Sequence, residues 1–233
     1  MLYYKLTNQK LQTYKGFQWE LGKWIITDGI GNLCSAGWLH CYNHPLLAVF
    51  LNPIHADINN PRLFRVNVRG KKKTNNGLKF GFTKMQLVEE LTLPKITLIQ
   101  QITFGILCAK EVYKDKKWNK WADNWLSGKN RSCAAACAAA DAADAVRAAA
   151  TDIARAATYT DAVYAAAGAA DAAAVTAYAA ADAAADAAAD AADAVRAAAY
   201  AAADAADAAA DAAAGIGIKS FNLIKLAKKV MRY

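Results

Sequence analysis

Proline is scarce in this chain: four occur in 233 residues, and none follows Pro94. The C-terminal part is therefore free of the strongest helix breaker. Cysteine is sparse as well, with five residues at positions 34, 41, 108, 133 and 137. An odd, scattered set makes no disulfide framework for a chain of this length and points to a reducing cytoplasm. Outside an alanine tract there is no uncharged run of roughly 18 strongly apolar residues, which argues against a membrane-spanning helix. Met1 to Lys10 holds no apolar core of the kind a secretory signal carries, so none is predicted. Missing too are a Gly-rich phosphate loop and the HExxH, GxSxG and DxD patterns. Motifs thus assign no catalytic residue and no cofactor, and the sequence leans away from an enzyme.

What is present is charge, unevenly placed. Lys and Arg number 28 against 20 Asp and Glu, a net charge of +8. Residues 1–130 hold 19 basic and 8 acidic side chains, residues 131–214 hold 4 Arg and 12 Asp, and residues 215–233 hold 5 basic ones and no acid. Composition shifts at the same places. Of the 84 residues in 131–214, 51 are alanine, so the 56% hydrophobic content overstates the area available for a core. Ser127-Gly128-Lys129-Asn130 reads as a turn-forming linker. The organisation predicted is a basic mixed α/β domain over 1–130, an Ala-rich acidic-striped helical array over 131–214, and a basic amphipathic helix over 215–233. The fold class is α+β, a small strand-rich domain followed by an all-helical region.

Within the first segment, Tyr3-Tyr4-Lys5-Leu6-Thr7 and Trp24-Ile25-Ile26-Thr27 carry the β-branched and aromatic residues of strands. Leu63 to Arg69 alternates apolar and polar and then meets Gly70 and three lysines, which predicts a half-buried strand ending at Gly70. Leu78 to Phe82 repeats the alternation, so a hairpin over 63–82 is expected, with Lys71-Lys72-Lys73 at its tip. The apolar run from Leu91 to Ala109 reads as a strand followed by a buried helix. Trp118, Trp121 and Trp125 recur at helical spacing, which puts three indoles on one face, as core packing more readily than as a base-stacking platform.

The alanine tract reads as helix throughout, because alanine is the strongest helix former. Ser132 is an N-cap and Gly215-Ile216-Gly217 a stop. Asp161, Asp171, Asp182, Asp186, Asp190, Asp193, Asp204, Asp207 and Asp211 fall within an arc of about 100° on a continuous helix. That is one rod about 75 Å long, or segments that keep phase. A turn is expected near Thr158-Tyr159-Thr160. The same 13-residue sequence occupies 138–150 and 187–199. The few larger residues, among them Val146, Val175, Tyr178 and Tyr200, are expected at helix contacts.

Chemistry is visible in three places. Cys34, His40, Cys41 and His44 supply soft or borderline ligands within eleven residues, a zinc-like set whose spacing matches no standard finger. His40 and Cys41 are adjacent and would point to opposite faces of a strand, so packing is the plainer reading. A Cys-His nucleophile pair can also be drawn from Cys34 or Cys41 with His44 or His55, but any chain with these residues allows that. Arg65, Arg69, Lys71, Lys72, Lys73 and Lys79 form a basic patch suited to phosphate backbones or an acidic partner. Its alternative is a solvated loop, or a docking face for the chain's own Asp-rich helices. The stripe of Asp182, Asp186, Asp190, Asp193, Asp204, Asp207 and Asp211 reads either as a mimic of nucleic-acid phosphates or as the wet face of an amphipathic helix. The Lys-rich tail could lie on an anionic membrane or close a helical bundle, and the bundle is preferred.

Gly16-Phe17, Leu21-Gly22-Lys23, Cys34-Ser35-Ala36-Gly37-Trp38, Pro45-Leu46 and Val66-Asn67-Val68-Arg69-Gly70 together resemble a domain of unknown function common in bacteriophages and prophages. The histidine of that pattern aligns with Leu39, one residue before His40. The Ala-rich half is similar to the C-terminal part of polymorphic-toxin immunity proteins. These resemblances imply a mobile-element origin and a bacterial cytoplasm. The function expected is a non-enzymatic phage accessory protein that binds a host protein or nucleoprotein, as an inhibitor of a nucleic-acid-targeting defence system. The alternatives are a nucleotide-binding or nucleotide-modifying N-terminal domain, and an immunity or self-assembling scaffold protein.

Overall fold

A computed structural model describes residues 1–75, 77, 79–132, 134–136, 168, 170–171, 173–174, 176–178, 180–181, 200, 203–212 and 222–233. The chain forms two compact units, Met1–Lys95 and Ile96–Tyr233. This division lies ahead of the compositional one at 127–130. The architecture is α+β, with an antiparallel sheet in the first unit and helices in the second.

In the first unit the strands are β1 (Tyr3–Thr7), β2 (Gln12–Thr13), β3 (Phe17–Gln18), β4 (Trp24–Ile26), β5 (Leu39–Cys41), β6 (Arg62–Asn75) and β7 (Lys79–Leu91), with short helices α1 (Pro45–Phe50) and α2 (Asn52–His55). β6 and β7 form the expected antiparallel hairpin, but β6 does not stop at Gly70. Arg69 faces Lys84 and Lys72 faces Phe82, so one extra residue is absorbed by a bulge. Gly70 makes this bulge with φ +83°, a region that a side chain would strain. The Thr83 hydroxyl accepts from the Lys71 amide at 3.0 Å and fixes the register there. The ladder therefore runs on to the pair of Asn75 with Lys79, and the three lysines sit within the strand.

β7 is the hub of the sheet. It pairs with β6 along one edge, and with β5 (Phe82 opposite Leu39) and β4 (Gln86 opposite Trp24) along the other. β1 pairs with the far side of β6. Tyr4 and Tyr42 then exchange backbone hydrogen bonds, both 2.8 Å long, so the pairings β1–β6–β7–β5 return to β1. Inside this circuit Tyr3, Trp19, Leu39, Cys41, Phe64, Val66, Phe80, Phe82, Met85 and Leu87 are buried together. Each large side chain of that set contributes about 1.5–3 kcal/mol by leaving water. The Tyr3 ring meets Phe80 and Phe82 edge-on at 5.5 and 5.0 Å, the arrangement aromatic quadrupoles favour.

Residues 92–97, where the first unit ends and the second begins, are irregular rather than a strand, because β7 already runs to Leu91 and Pro94 cannot donate to a ladder. Helix α3 (Leu98–Val112) follows, opened by a capping box in which Thr97 Oγ1 accepts from the Gln100 amide and the Gln100 side chain returns to the Thr97 amide. Helix α4 (Lys116–Leu126) buries Trp118, Trp121 and Trp125. Trp118 Nε1 donates to the Ala173 carbonyl oxygen at 3.3 Å. The C-terminal helix α5 (Leu223–Val230) is capped by Asn222 and buries Leu223, Leu226, Ala227 and Val230, with Lys225, Lys228 and Lys229 exposed. It packs on α3, as a bundle-closing tail would. Among the described residues no helix is long and apolar enough to cross a membrane.

In the alanine tract, Ser132 Oγ accepts from the Ala135 amide, a cap as expected. Helical residues within 168–181 and 203–212 lie side by side, since a Cβ on Gly168 would stand 3.7 Å from the Ala208 carbonyl oxygen and 3.8 Å from the Ala212 Cβ. The single 75 Å rod is therefore not what forms. Small side chains allow that close approach. Tyr178 is 38% exposed, while alanines such as Ala173, Ala177, Ala206 and Ala209 are buried. The duplicated segments, the turn near 158–160, and Val146 and Val175 lie outside the described residues.

Candidate functional site

Strand alternation sets the site. Tyr3, Lys5 and Thr7 share one face of β1, so a lysine shares the buried face that Tyr3 presents to the core. Lys5 is 8% exposed. Its Nζ donates to the His40 carbonyl oxygen at 2.8 Å and stands 4.7 Å from the centre of the Trp19 ring. Among the described residues no carboxylate forms an ion pair with it. Burial pulls the Lys5 amine down to about 8, a shift that Cys41 only partly opposes.

Lys5 forms part of the wall of a cleft of about 720 Å³, within the range of small-molecule sites. The cleft is also lined by Lys15, His40, His55 and Lys79, by the aromatic rings of Tyr14, Phe17, Trp19 and Trp38, and by Thr27, Cys34 and Ser35. Among the described residues no Asp or Glu lines it. Tyr14 is 81% exposed at its edge. Thr27 Oγ1 is buried and has no hydrogen-bond partner.

One wall is the loop between β4 and β5. The Asp28 carboxylate accepts from the Ile30 amide at 2.8 Å, Ser35 Oγ donates to the Ile30 carbonyl oxygen at 2.9 Å, and the Gly29 amide donates to the Gly37 carbonyl oxygen at 3.0 Å. Gly37 permits that fold, because a Cβ there would stand 2.2 Å from the Ile30 carbonyl oxygen. The loop brings Cys34 to Lys79, whose Nζ is 3.1 Å from Sγ.

The two cleft histidines are held neutral. Burial lowers His40, opposed by its bond to the Leu33 carbonyl oxygen and helped by Lys5 and Lys79. A carbonyl only accepts, so His40 Nε2 carries the proton and Nδ1 is the free acceptor. Burial, then Lys79 and His40, bring His55 down to about 4. Its ring stacks on Tyr42, whose hydroxyl lies 3.1 Å from Nδ1. Burial pushes the Tyr42 hydroxyl up, so it stays protonated and can donate to that nitrogen.

The zinc-like set is not brought together. His44 Nδ1 accepts from the Leu46 amide at 3.2 Å and caps α1. Cys41 is buried in the sheet core, where desolvation pushes its thiol up to about 12. His40 turns to the opposite face, toward the cleft. Among the described residues no group of three or more His, Cys, Asp or Glu could hold a metal ion.

The basic patch is divided by the bulge and the tip. Arg65 pairs with Glu89 at 2.8 Å, and its guanidinium holds that carboxyl below the usual range. Arg69 stacks 5.0 Å from the Trp24 ring. Lys72 stands 5.0 Å from the Phe80 ring, and Lys73 4.9 Å from the Trp38 ring while donating to the Gly31 carbonyl oxygen at 2.8 Å. Lys71 is exposed, and Lys79 belongs to the cleft. Of the acidic stripe, Asp204 and Asp211 are exposed and Asp207 is half-buried. Partial burial raises the Asp204 carboxyl, and Asp171 adds to that. Asp182, Asp186, Asp190 and Asp193 lie outside the described residues.

Sequence reasoning passed over Lys5 and used His55 only as one of several interchangeable partners for a cysteine. The signal for Lys5 was there: alternation from Tyr3 to Thr7 places a lysine on the same face as two residues suited to burial.

Comparison with curated proteins and with solved structures finds no match. Residues 1–99 match the family model described as Domain of unknown function (DUF7666), a span that contains the whole closed sheet and every residue lining the cleft.

Proposed function

We propose that the N-terminal unit is a binding module for a small anionic ligand with a planar ring, of the nucleotide class. The observation that carries this reading is the cleft wall, where Lys5, Lys15, Lys79, His40 and His55 converge with four aromatic rings and no carboxylate. Cations without acidic partners leave an uncompensated positive field, which a phosphate or carboxylate relieves. Rings supply stacking for a planar group. Thr27 Oγ1 offers a further hydrogen bond from a buried position. Calorimetric titration of the full chain with mono-, di- and triphosphate nucleosides tests it. One of these should bind saturably, and Lys79→Ala should weaken it about tenfold, the loss of one charge-assisted contact. Absence of binding by every nucleotide tried sinks the reading.

A second reading rests on Lys71, Lys72 and Lys73, which are exposed and form no ion pair with any described residue. In it the protein is a phage or prophage accessory factor of the bacterial cytoplasm. It meets a host nucleoprotein through this strand, and its Ala-rich helices act as in immunity proteins. Charge reversal of the three lysines should abolish capture of a host partner and flatten the salt dependence of any oligonucleotide binding.

A further inference from the structure

We infer that Lys5 is a carbonyl-capturing residue, and that the ligand of the cleft is an aldehyde or ketone carrying an anionic group, which Lys5 holds as an imine. The inference rests on the ligand-binding reading of the cleft and names the ligand's reactive group.

The argument begins with the position of the amine. A lysine buried on the core face of a strand costs several kcal/mol of desolvation while it is charged, unless a carboxylate compensates. Among the described residues Lys5 has no such partner; its Nζ is held by one backbone carbonyl and the face of Trp19. A lysine kept for packing alone would be served better by methionine, which fills similar space without the charge. The arrangement makes sense where the free amine is wanted, and a desolvated lysine in an apolar pocket is the usual activated amine nucleophile. The lowered proton affinity of Lys5 agrees with that.

The chemistry balances without an oxidant or reductant. The Lys5 Nζ lone pair attacks the carbonyl carbon, a C–N bond forms, and the proton lost from nitrogen passes to the carbonyl oxygen, giving a carbinolamine. Its hydroxyl then takes up a proton and leaves as water while the nitrogen lone pair forms the C=N bond, and the remaining N–H proton is given up in exchange, leaving a neutral imine. Amine and carbonyl become imine and water. Proton carriers are at hand: His40 presents a free Nδ1, and the Tyr42 hydroxyl and His55 form a second protonatable pair bordering the cavity beside Lys5. Lys15 and Lys79, on the same cleft, suit the ligand's anionic group. Forming a neutral imine also removes the buried ammonium, so the product is favoured by the desolvation that made the amine reactive.

The test uses pyridoxal 5′-phosphate as a probe bearing aldehyde, ring and phosphate, and pyridoxine 5′-phosphate, which lacks the aldehyde. The full chain is incubated with the first at pH 7, reduced with sodium borohydride, and its modified lysines are mapped by mass spectrometry. Lys5 should be labelled at least about tenfold above the exposed lysines, following its larger share of free amine. Lys5→Arg, which keeps the charge, should lose that label with no gain elsewhere. Labelling spread evenly over exposed lysines overturns the inference. Saturable binding of pyridoxine 5′-phosphate without Lys5 labelling also overturns it, but leaves the anionic cleft standing. If neither compound binds and no nucleotide does, both readings fall. Mapping on the unaltered chain decides the matter even if Lys5→Arg does not fold.

Discussion

The Nζ of Lys5 lies 2.8 Å from the backbone carbonyl oxygen of His40, joining a side chain of the first strand to the main chain of the fifth. One neutral acceptor cannot replace the water that a lysine loses on burial, and the amine falls to about 8. Between pH 8 and the ordinary lysine value the unfolded chain binds the proton more tightly than the native one, so native stability rises with pH across that window. The gap amounts to about 3 kcal/mol. Lys5→Met should therefore stabilise the fold by about 1–3 kcal/mol at pH 7, and the gain should vanish by about pH 10. Cys41, held up to about 12, ionises only in the unfolded chain and lowers stability over part of the same range. It does so in both proteins, and the difference between their urea midpoints reports Lys5 together with its coupling to Cys41. A constant difference from pH 7 to 10 would contradict the account.

On the acid side His55, at about 4, acts in the same direction as His40, which burial also lowers. Between that value and the ordinary histidine value the unfolded chain binds the proton and the native chain does not. Stability contributed by neutral His55 is thus present above about pH 6.5 and lost as pH falls toward 4. The loss expected is about 2–3 kcal/mol, reduced by partial exposure of the ring. His55→Gln should flatten the urea midpoint over this range, and imidazole carbon shifts should show the low titration directly.

Gly70 combines φ +83° with a Cβ position 2.1 Å from Thr83 Oγ1. Gly70→Ala should cost about 2–3 kcal/mol, the sum of left-handed strain and a steric clash. Adding Thr83→Ala removes the clash and should restore only part of the loss, because the backbone strain remains. Full restoration in chemical unfolding would mean that the bulge tolerates a side chain.

In the helical unit the three buried indoles differ in their polar ends. Trp118 Nε1 has the Ala173 carbonyl, whereas Trp121 Nε1 is buried with no partner. Trp118→Phe should cost about 1–3 kcal/mol more than Trp121→Phe, because it removes a buried hydrogen bond while the other substitution removes an unsatisfied donor. Thermal midpoints of the two variants measure the order.

Much of the sheet was legible because its signals are local. Strand-forming composition placed β1 at its observed bounds, and alternation found the β6–β7 hairpin. The bulge was not legible: Gly70 followed by three lysines reads as the end of a strand, and only the Thr83 hydroxyl across the ladder shows that the strand continues. The helical stripe of tryptophans and the Ser132 cap were local as well. The cleft is a different matter. It draws on Lys5, the 13–19 ribbon, the 27–40 loop, His55 and Lys79, and no window of sequence holds more than a fragment of it. The basic patch looked like one feature because its residues are close in sequence, while the fold gives Arg65 to Glu89, Arg69 to Trp24 and Lys79 to the cleft.

Every pairing of the closed sheet except that of β1 with β6 and the Tyr4–Tyr42 bridge is made by β7, the last strand of the unit to leave the ribosome. Until residue 91 has emerged, β4, β5 and β6 have one or no partner, and their apolar faces are open to other chains. Folding of this unit is thus governed by contacts between residues far apart in sequence, the regime of slow folding. During synthesis the chain carries a lengthening set of unpaired strand edges that one strand then closes together. Slowing translation just before β7 should raise aggregation, and slowing it after Lys95 should not.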